Sequence, residues 1–214
     1  GFVYAQGMTI SEVLANEALR RHEFPVTRDK VFLAHAGDCP LPRRVAEAVA
    51  AYAHQATTGD QEHFVYPEIL GEGRALGAQL LNCQAEEVAF VGPTSLALSF
   101  FASGLKFRRT DNILIYFEDY PSNVYPWMDL VRTRAVKLAM VEEVSDNGVR
   151  RVPTEKILEA ASHPRTRLVS LSHVQFASAQ RMDLAAIGKF CREREILFCV
   201  DAIQTRGVLL VDVK

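Results

Sequence analysis

The sequence predicts an α/β fold, a mostly parallel sheet flanked by helices. Three observations predict it. From Glu87 onward short apolar runs alternate with helical patterns, and repeated strand–helix units of this length mean parallel strands joined by crossover helices. The run Ile196-Leu197-Phe198-Cys199-Val200 is apolar throughout, the pattern of a strand buried on both faces of a parallel sheet. That run ends in Asp201, with Gln204 following, and open α/β sheets collect their ligands at the carboxyl ends of their strands.

The chain has 214 residues, enough for one sizeable core. With 49% hydrophobic and 23% charged residues it reads as ordinary globular material. A formal net charge of -2 gives no electrostatic case for nucleic acid or an anionic membrane as partner. No apolar run reaches the length of a transmembrane helix. Gly1 to Gly7 lack the basic start of a secretory signal, and Met8 is read as the natural start. Cys39, Cys83, Cys191 and Cys199 make no C-x-x-C pair and have no zinc-like histidine spacing beside them. No metal site is expected, Cys191 and Cys199 read as core residues, and the expected location is cytoplasmic.

In chain order, Ser11 to Phe24 reads as an amphipathic helix capped by Ser11, and Val31-Phe32-Leu33 as a short strand. His35 to Asp38 is a loop, and Pro40 and Pro42 introduce a helix over Arg43 to His54. Thr57 to Phe64 is polar and read as loop; Pro67 to Leu81 is helical by pattern. Within it Gly71 to Gly77 comes near G-x-G-x-x-G but lacks the preceding strand of a dinucleotide site, so it reads as close packing through small residues. Strands follow at Val88–Val91, Ile113–Phe117, Val136–Val141, Leu168–Leu171 and Ile196–Val200. Helices follow at Ser95–Leu105, Asn123–Arg134, Thr154–Ala161 with Thr154 as cap, and Leu184–Arg194. Gly207 to Asp212 reads as the opening of another element.

Four strand ends carry candidate chemistry. Asp201 either opens a turn or pairs with a cation, for which a protonated heteroaromatic nitrogen is a good candidate. Thr94 and Ser95 open a helix after Gly92-Pro93; they are simple caps or part of a phosphate cradle. Tyr120 and Asn123 lie in a proline-rich stretch after the Ile113–Phe117 strand; Tyr120 is a turn aromatic or a stacking face for a planar ring, and Asn123 a helix cap or a ligand contact. Ser172-His173 close the fourth strand, with His173 a base or a packing residue. One ligand accounts for all four ends: a phosphorylated, planar, protonatable ring.

Taken together, these motifs resemble the class V aminotransferase family of fold-type I pyridoxal-phosphate (PLP) enzymes. The resemblance spans about Val31 to Lys214 and is carried by Val200-Asp201-Ala202-x-Gln204, Ser172-His173-Val174 and Asp183-Leu184. The run Tyr120 to Trp127 is similar to the epimerase-like and kynureninase-like branches. The resemblance implies PLP as cofactor, an amino-acid substrate, and a homodimer for the full-length parent. It implies that Asp201 pairs with the pyridinium nitrogen, Gln204 with the ring's phenolic oxygen, and Thr94 and Ser95 with the phosphate. Tyr120 stacks on the ring, Asn123 and Ser172 lie around the cofactor, and His35, Ala36 and Gly37 lie near the substrate carboxylate. Residues 1–30 then form an N-terminal extension and helix, and residues 31–214 a partial PLP-binding large domain. Two positions depart from the family pattern: Phe176 stands where the desulfurase branch has asparagine, and Ala179 where glycine is common. The Schiff-base lysine is expected in a later His-Lys motif, past Lys214, so the chain as given is expected to be inactive by itself. Two alternatives stand beside this reading: a non-catalytic, truncated or pseudoenzyme interaction protein, and a nucleotide-binding α/β domain.

Overall fold

The computed structural model describes residues 9–59 and 66–214. The reading of Gly1–Met8 and most of the expected 57–64 loop lie outside the described residues. The chain divides into two compact units, Gly1–Pro67 and Glu68–Lys214.

In the first unit, two short helices replace the single one expected. Helix α1 (Ile10–Ala15) starts at Thr9, not Ser11, with a capping box closed by Glu12. Asn16 then adopts an extended conformation and its side chain accepts the Leu19 N–H at 3.2 Å, capping α2 (Glu17–Glu23). An asparagine whose side chain takes a backbone N–H three residues on in this way ends one helix and caps the next. The expected strand at Val31-Phe32-Leu33 does not form; Val31 and Leu33 are 87% and 83% exposed, and an isolated strand has no ladder to stabilise it. Helix α3 (Arg43–Gln55) follows Pro42 as expected. The buried Glu23 carboxylate accepts from Arg44 Nε at 2.5 Å, tying α2 to α3.

In the second unit, α4 (Tyr66–Leu81) packs against the following extended run through its glycines. A Cβ at Gly73 would fall 2.8 Å from the Phe90 ring, and one at Gly77 3.2 Å from Val88. That run, Val88–Val91, was expected to be a strand. It has no strand partner among the described residues and is positioned by α4 instead.

The sheet contains β1 (Asn112–Tyr116), β2 (Lys137–Val141), β5 (Thr166–Ser172) and β6 (Leu197–Asp201). Its order is β2-β1-β5-β6, and every pairing is parallel. The helices α5 (Thr94–Gly104), α6 (Tyr125–Arg134), α7 (Thr154–Ala161) and α8 (Leu184–Glu193) flank it. Alternation along β1 feeds two cores. Leu114 and Tyr116 join Val169 and Leu171 beneath Ile157 of α7 and Ile187 of α8. Ile113 and Ile115 join Leu168 beneath Leu98 of α5 and Trp127 of α6. Each such side chain, fully buried, contributes about 1.5–3 kcal/mol by removal from water.

Three further expectations are corrected. Strand β6 is half-exposed and not buried on both faces, because among the described residues β5 is its only neighbour. Thr154 begins α7 without capping it; Pro153 holds the cap position with no side-chain bond. Gly207 to Asp212 forms no regular element, only an isolated bridge between Arg206 and Leu209. The sequence reading also missed a hairpin, β3 (Val144–Asp146) with β4 (Val149–Arg151). Its signal was Asn147-Gly148, both at positive φ of 51° and 80°, the two-residue turn that matches strand twist.

Candidate functional site

The carboxyl ends of β1, β5 and β6 converge on one buried polar cluster. The β5–β6 register pairs Ser172 with Asp201, so both side chains arrive at the same level. The His173 N–H donates to the Asp201 carbonyl at 2.8 Å and extends the ladder by one bond. From the end of β1 the chain turns through a short 3-10 segment, Pro121–Asn123, before α6 begins. That turn delivers Asn123, 2% exposed, into the same cluster.

Asn123 Nδ2 donates to Asp201 Oδ2 at 3.0 Å and to Ser172 Oγ at 2.8 Å. The cap role for Asn123 is not realised: α6 has no side-chain cap hydrogen bond. Asp201 is half-buried and does two things at once. Its Oδ1 accepts the Ile203 N–H at 2.8 Å and shapes the turn after β6, while its Oδ2 takes the Asn123 amide.

A side chain that the sequence reading left out sits at the centre. Asp119, 5% exposed, accepts from Tyr120 N at 2.7 Å, Ser172 Oγ at 2.5 Å and Asn123 Nδ2 at 3.2 Å through Oδ1. Its Oδ2 accepts from Ser172 N at 2.9 Å and Gln175 Nε2 at 3.4 Å. The available signal was the acidic pair Glu118-Asp119 after an apolar strand, close to the signal that marked Asp201.

Thr94 and Ser95 are the first two residues of α5, and neither caps it: Pro93 occupies the cap position and no side-chain cap bond is made. Both hydroxyls therefore stand beside the open N–H groups and positive dipole end of an 11-residue helix, an anion-favouring arrangement. Ser95 and Tyr120 share a cavity of about 440 Å³ between α5 and α6, with Ser122, Tyr125 and Asp129 on its walls. Thr94 and Asp201 do not line it. The Tyr120 ring is 53% exposed and meets Phe176 edge-on, with centroids 5.4 Å apart.

Gln204 lies in the turn after β6. His35, Ala36 and Gly37 form an exposed turn of the first unit, closed by Gly37 N–H to Ala34 O at 3.1 Å, with the His35 ring edge-on to Phe32. His173 takes the packing role: it is buried, and its Nδ1 lies 3.2 Å from Thr205 Oγ1. The Thr205 hydroxyl donates to Ala202 O, so it accepts from Nδ1–H. Burial, and secondarily the Arg181 charge, push the His173 pKa down and keep the ring neutral. Burial pushes the Cys199 thiol up to about 11, and the neighbouring Asp201 charge adds to it; burial alone does the same for Cys191. Neither is a nucleophile at neutral pH. Among the described residues no group of three or more His, Cys, Asp or Glu is placed to hold a metal ion. No helix among them is long and apolar enough to cross a membrane.

The site is bordered by a strained loop. Ala179 sits at φ 57°, a left-handed conformation that costs a non-glycine residue about 1 kcal/mol or more. Its N–H donates to Gln175 O at 2.9 Å. Ala179→Gly should therefore raise the unfolding free energy by about 0.5–1 kcal/mol, after the added chain entropy of glycine is subtracted. Urea denaturation of the two proteins checks this; a less stable glycine variant would contradict the strain.

The comparisons with known proteins agree with this architecture. The family model described as aminotransferase class-V matches residues 31–214. A probable cysteine desulfurase of Methanothermobacter thermautotrophicus is 32% identical over 199 residues, covering 91% of this chain and 48% of that protein. The apo structure of the cysteine desulfurase from Thermococcus onnurineus NA1 superposes with a TM-score of 0.78 at 24% identity, over 98% of this chain and 51% of that one. A C-DES variant with glycine covalently linked to its PLP cofactor gives 0.78 at 21% identity, over 90% of this chain and 51% of that one. The chain thus spans about half the length of the curated relatives it matches.

Proposed function

Because the chain belongs to the aminotransferase class-V family, we propose that it is part of a PLP-dependent enzyme acting on an amino acid. The observation that carries this is the junction of Asp201, Asn123 and Ser172 at three strand ends, with Asp201 held as an acceptor among donors. A carboxylate so held suits a ring cation, and two hydroxyls at an uncapped helix start suit a phosphate. The residues present therefore fit the coenzyme. Two buried acceptors, Asn123 Oδ1 and Gln175 Oε1, have no partner and leave the cluster with unused capacity.

In this reading Asp201 holds the proton on the ring nitrogen. Thr94 and Ser95 donate to the phosphate, Tyr120 covers the ring face, and Gln204 and Ser172 hold polar atoms at the ring edge. Asn123 fixes the Asp201 carboxylate. His35, Ala36 and Gly37 belong to the substrate-carboxylate side. When bound, PLP supplies an electron sink for a bond breaking at the substrate Cα. Residues 31–214 form the coenzyme-binding portion, residues 1–30 lead into it, and the parent acts as a homodimer in the cytoplasm. The relatives' names favour sulfur chemistry on cysteine. Phe176, packed on Tyr120 in place of a polar side chain, favours a different outcome, transamination, epimerisation or another cleavage.

Titration with PLP, followed by absorbance and by quenching of protein fluorescence, tests the reading. Saturable binding should be weakened about tenfold in Tyr120→Ala, the loss of one stacking contact. Absence of saturable PLP uptake, or tight NAD uptake in its place, would favour the interaction-protein or nucleotide-domain alternative.

A further inference from the structure

The buried Asp119 carboxylate has no assigned part in the set above, yet it dictates how that set is oriented. The groups around it are backbone N–H, hydroxyl and amide donors. Ser172 has one hydroxyl proton, and at 2.5 Å that proton goes to Asp119. Ser172 Oγ is thereby left as an acceptor, and it takes the Asn123 Nδ2. Asn123 Nδ2 faces three acceptors, on Asp119, Ser172 and Asp201. Turning the amide over would bring Asn123 Oδ1 against those same acceptors, so only one orientation is tolerated. In that orientation the amide points at Asp201 Oδ2.

We propose that Asp119 is a positioning residue: it locks the Ser172 hydroxyl and the Asn123 amide so that Asp201 is held in register for the ring cation. This rests on the PLP reading for its purpose, though not for the lock itself. Asparagine at 119 has nearly the same shape and cannot do the task. One carboxylate oxygen receives the Tyr120 N–H and the other the Ser172 N–H, so either placement of an amide NH2 opposes a backbone N–H.

The test uses the full chain with wild type, Asp119→Asn, Asn123→Ala and the double variant. Hydrogen exchange of the Asn123 side-chain amide, read by ¹H–¹⁵N NMR, reports the lock without any coenzyme. Exchange should quicken about tenfold or more in Asp119→Asn, with the circular dichroism of the fold retained. The Kd for PLP should rise about tenfold in Asp119→Asn, the loss of one charge-assisted contact at Asp201. In the Asn123→Ala background Asp119→Asn should raise Kd no further, because both act through one amide. Unchanged Asn123 exchange in Asp119→Asn, or additive effects on Kd, would overturn the proposal. If Asp119→Asn does not fold, Ser172→Ala breaks the same relay, and unchanged Asn123 exchange there overturns it equally. A wild-type chain that takes up no PLP would remove the coenzyme reading, while the exchange measurement still decides whether Asp119 holds Asn123.

Discussion

Trp127→Ala should lower the unfolding free energy by about 3–5 kcal/mol. The side chain is fully buried, lies edge-on to Phe101 at 6.2 Å, and fills the space between α5, α6 and the sheet. Its indole N–H donates to Ser170 Oγ at 3.1 Å, so truncation also takes a donor from a buried hydroxyl. For a domain with a total stability of about 5–15 kcal/mol this is a large fraction. The midpoint of thermal unfolding should fall by about 6–20 °C. Trp127→Phe keeps much of the volume and isolates the cavity contribution. A loss below about 1 kcal/mol in Trp127→Ala would mean that the site is not packed as described. The consequence reaches the polar cluster, because α6 follows directly on the turn that carries Asn123, and Ser170 lies two residues before Ser172 on β5.

If the chain is part of a PLP enzyme as proposed, Asp201→Ala in that enzyme should reduce turnover at least about a hundredfold, equivalent to about 2.7 kcal/mol of transition-state stabilisation. In the proposed reading the effect is specific to the charge: Asp201 is the group that keeps the ring nitrogen protonated. The substitution also removes the acceptor of the Ile203 N–H, so a stability loss of about 1 kcal/mol should accompany it. The two effects separate experimentally. Thermal unfolding reads the turn, and single-turnover absorbance of the coenzyme-loaded protein reads the charge. Undiminished turnover in Asp201→Ala would refute the assigned role, whatever the melting temperature does.

The sheet was legible in the sequence because burial writes itself into composition. β1 and β5 carry the apolar stretches Ile113-Leu114-Ile115 and Leu168-Val169, and they are the most buried strands of the sheet. The α5 and α8 patterns were legible for the same reason. Val88–Val91 has an identical local signature, yet pairing is a property of neighbours and no local pattern supplies one. β6 likewise reads as a buried strand but stands at an edge among the described residues. The split of the first helix followed from the Asn16 side chain taking the Leu19 N–H, and the true cap was visible as the Thr-x-x-Glu of Thr9 and Glu12.

For the site, the residues at strand ends were legible because topology fixes where strand ends meet. The contact of Asn123 with Asp201, 78 positions apart, was not, since it depends on how the 3-10 turn enters the cluster. Asp119 is not legible in the sequence, because its neighbour Tyr120 accounts for the stretch without it. Ala179 stands where glycine is common in the family pattern, and its positive φ shows what a glycine would relieve there.

The four thiols differ in a way that gives the molecule a chemical handle. Cys191 and Cys199 hold their protons well above neutral pH, whereas Cys39 lies on the surface of the first unit. In a Cys83→Ser variant, which removes the half-exposed thiol of the second unit, a maleimide dye will mark Cys39 while sparing the strand that bears Asp201, so fluorescence labelling can follow one unit alone.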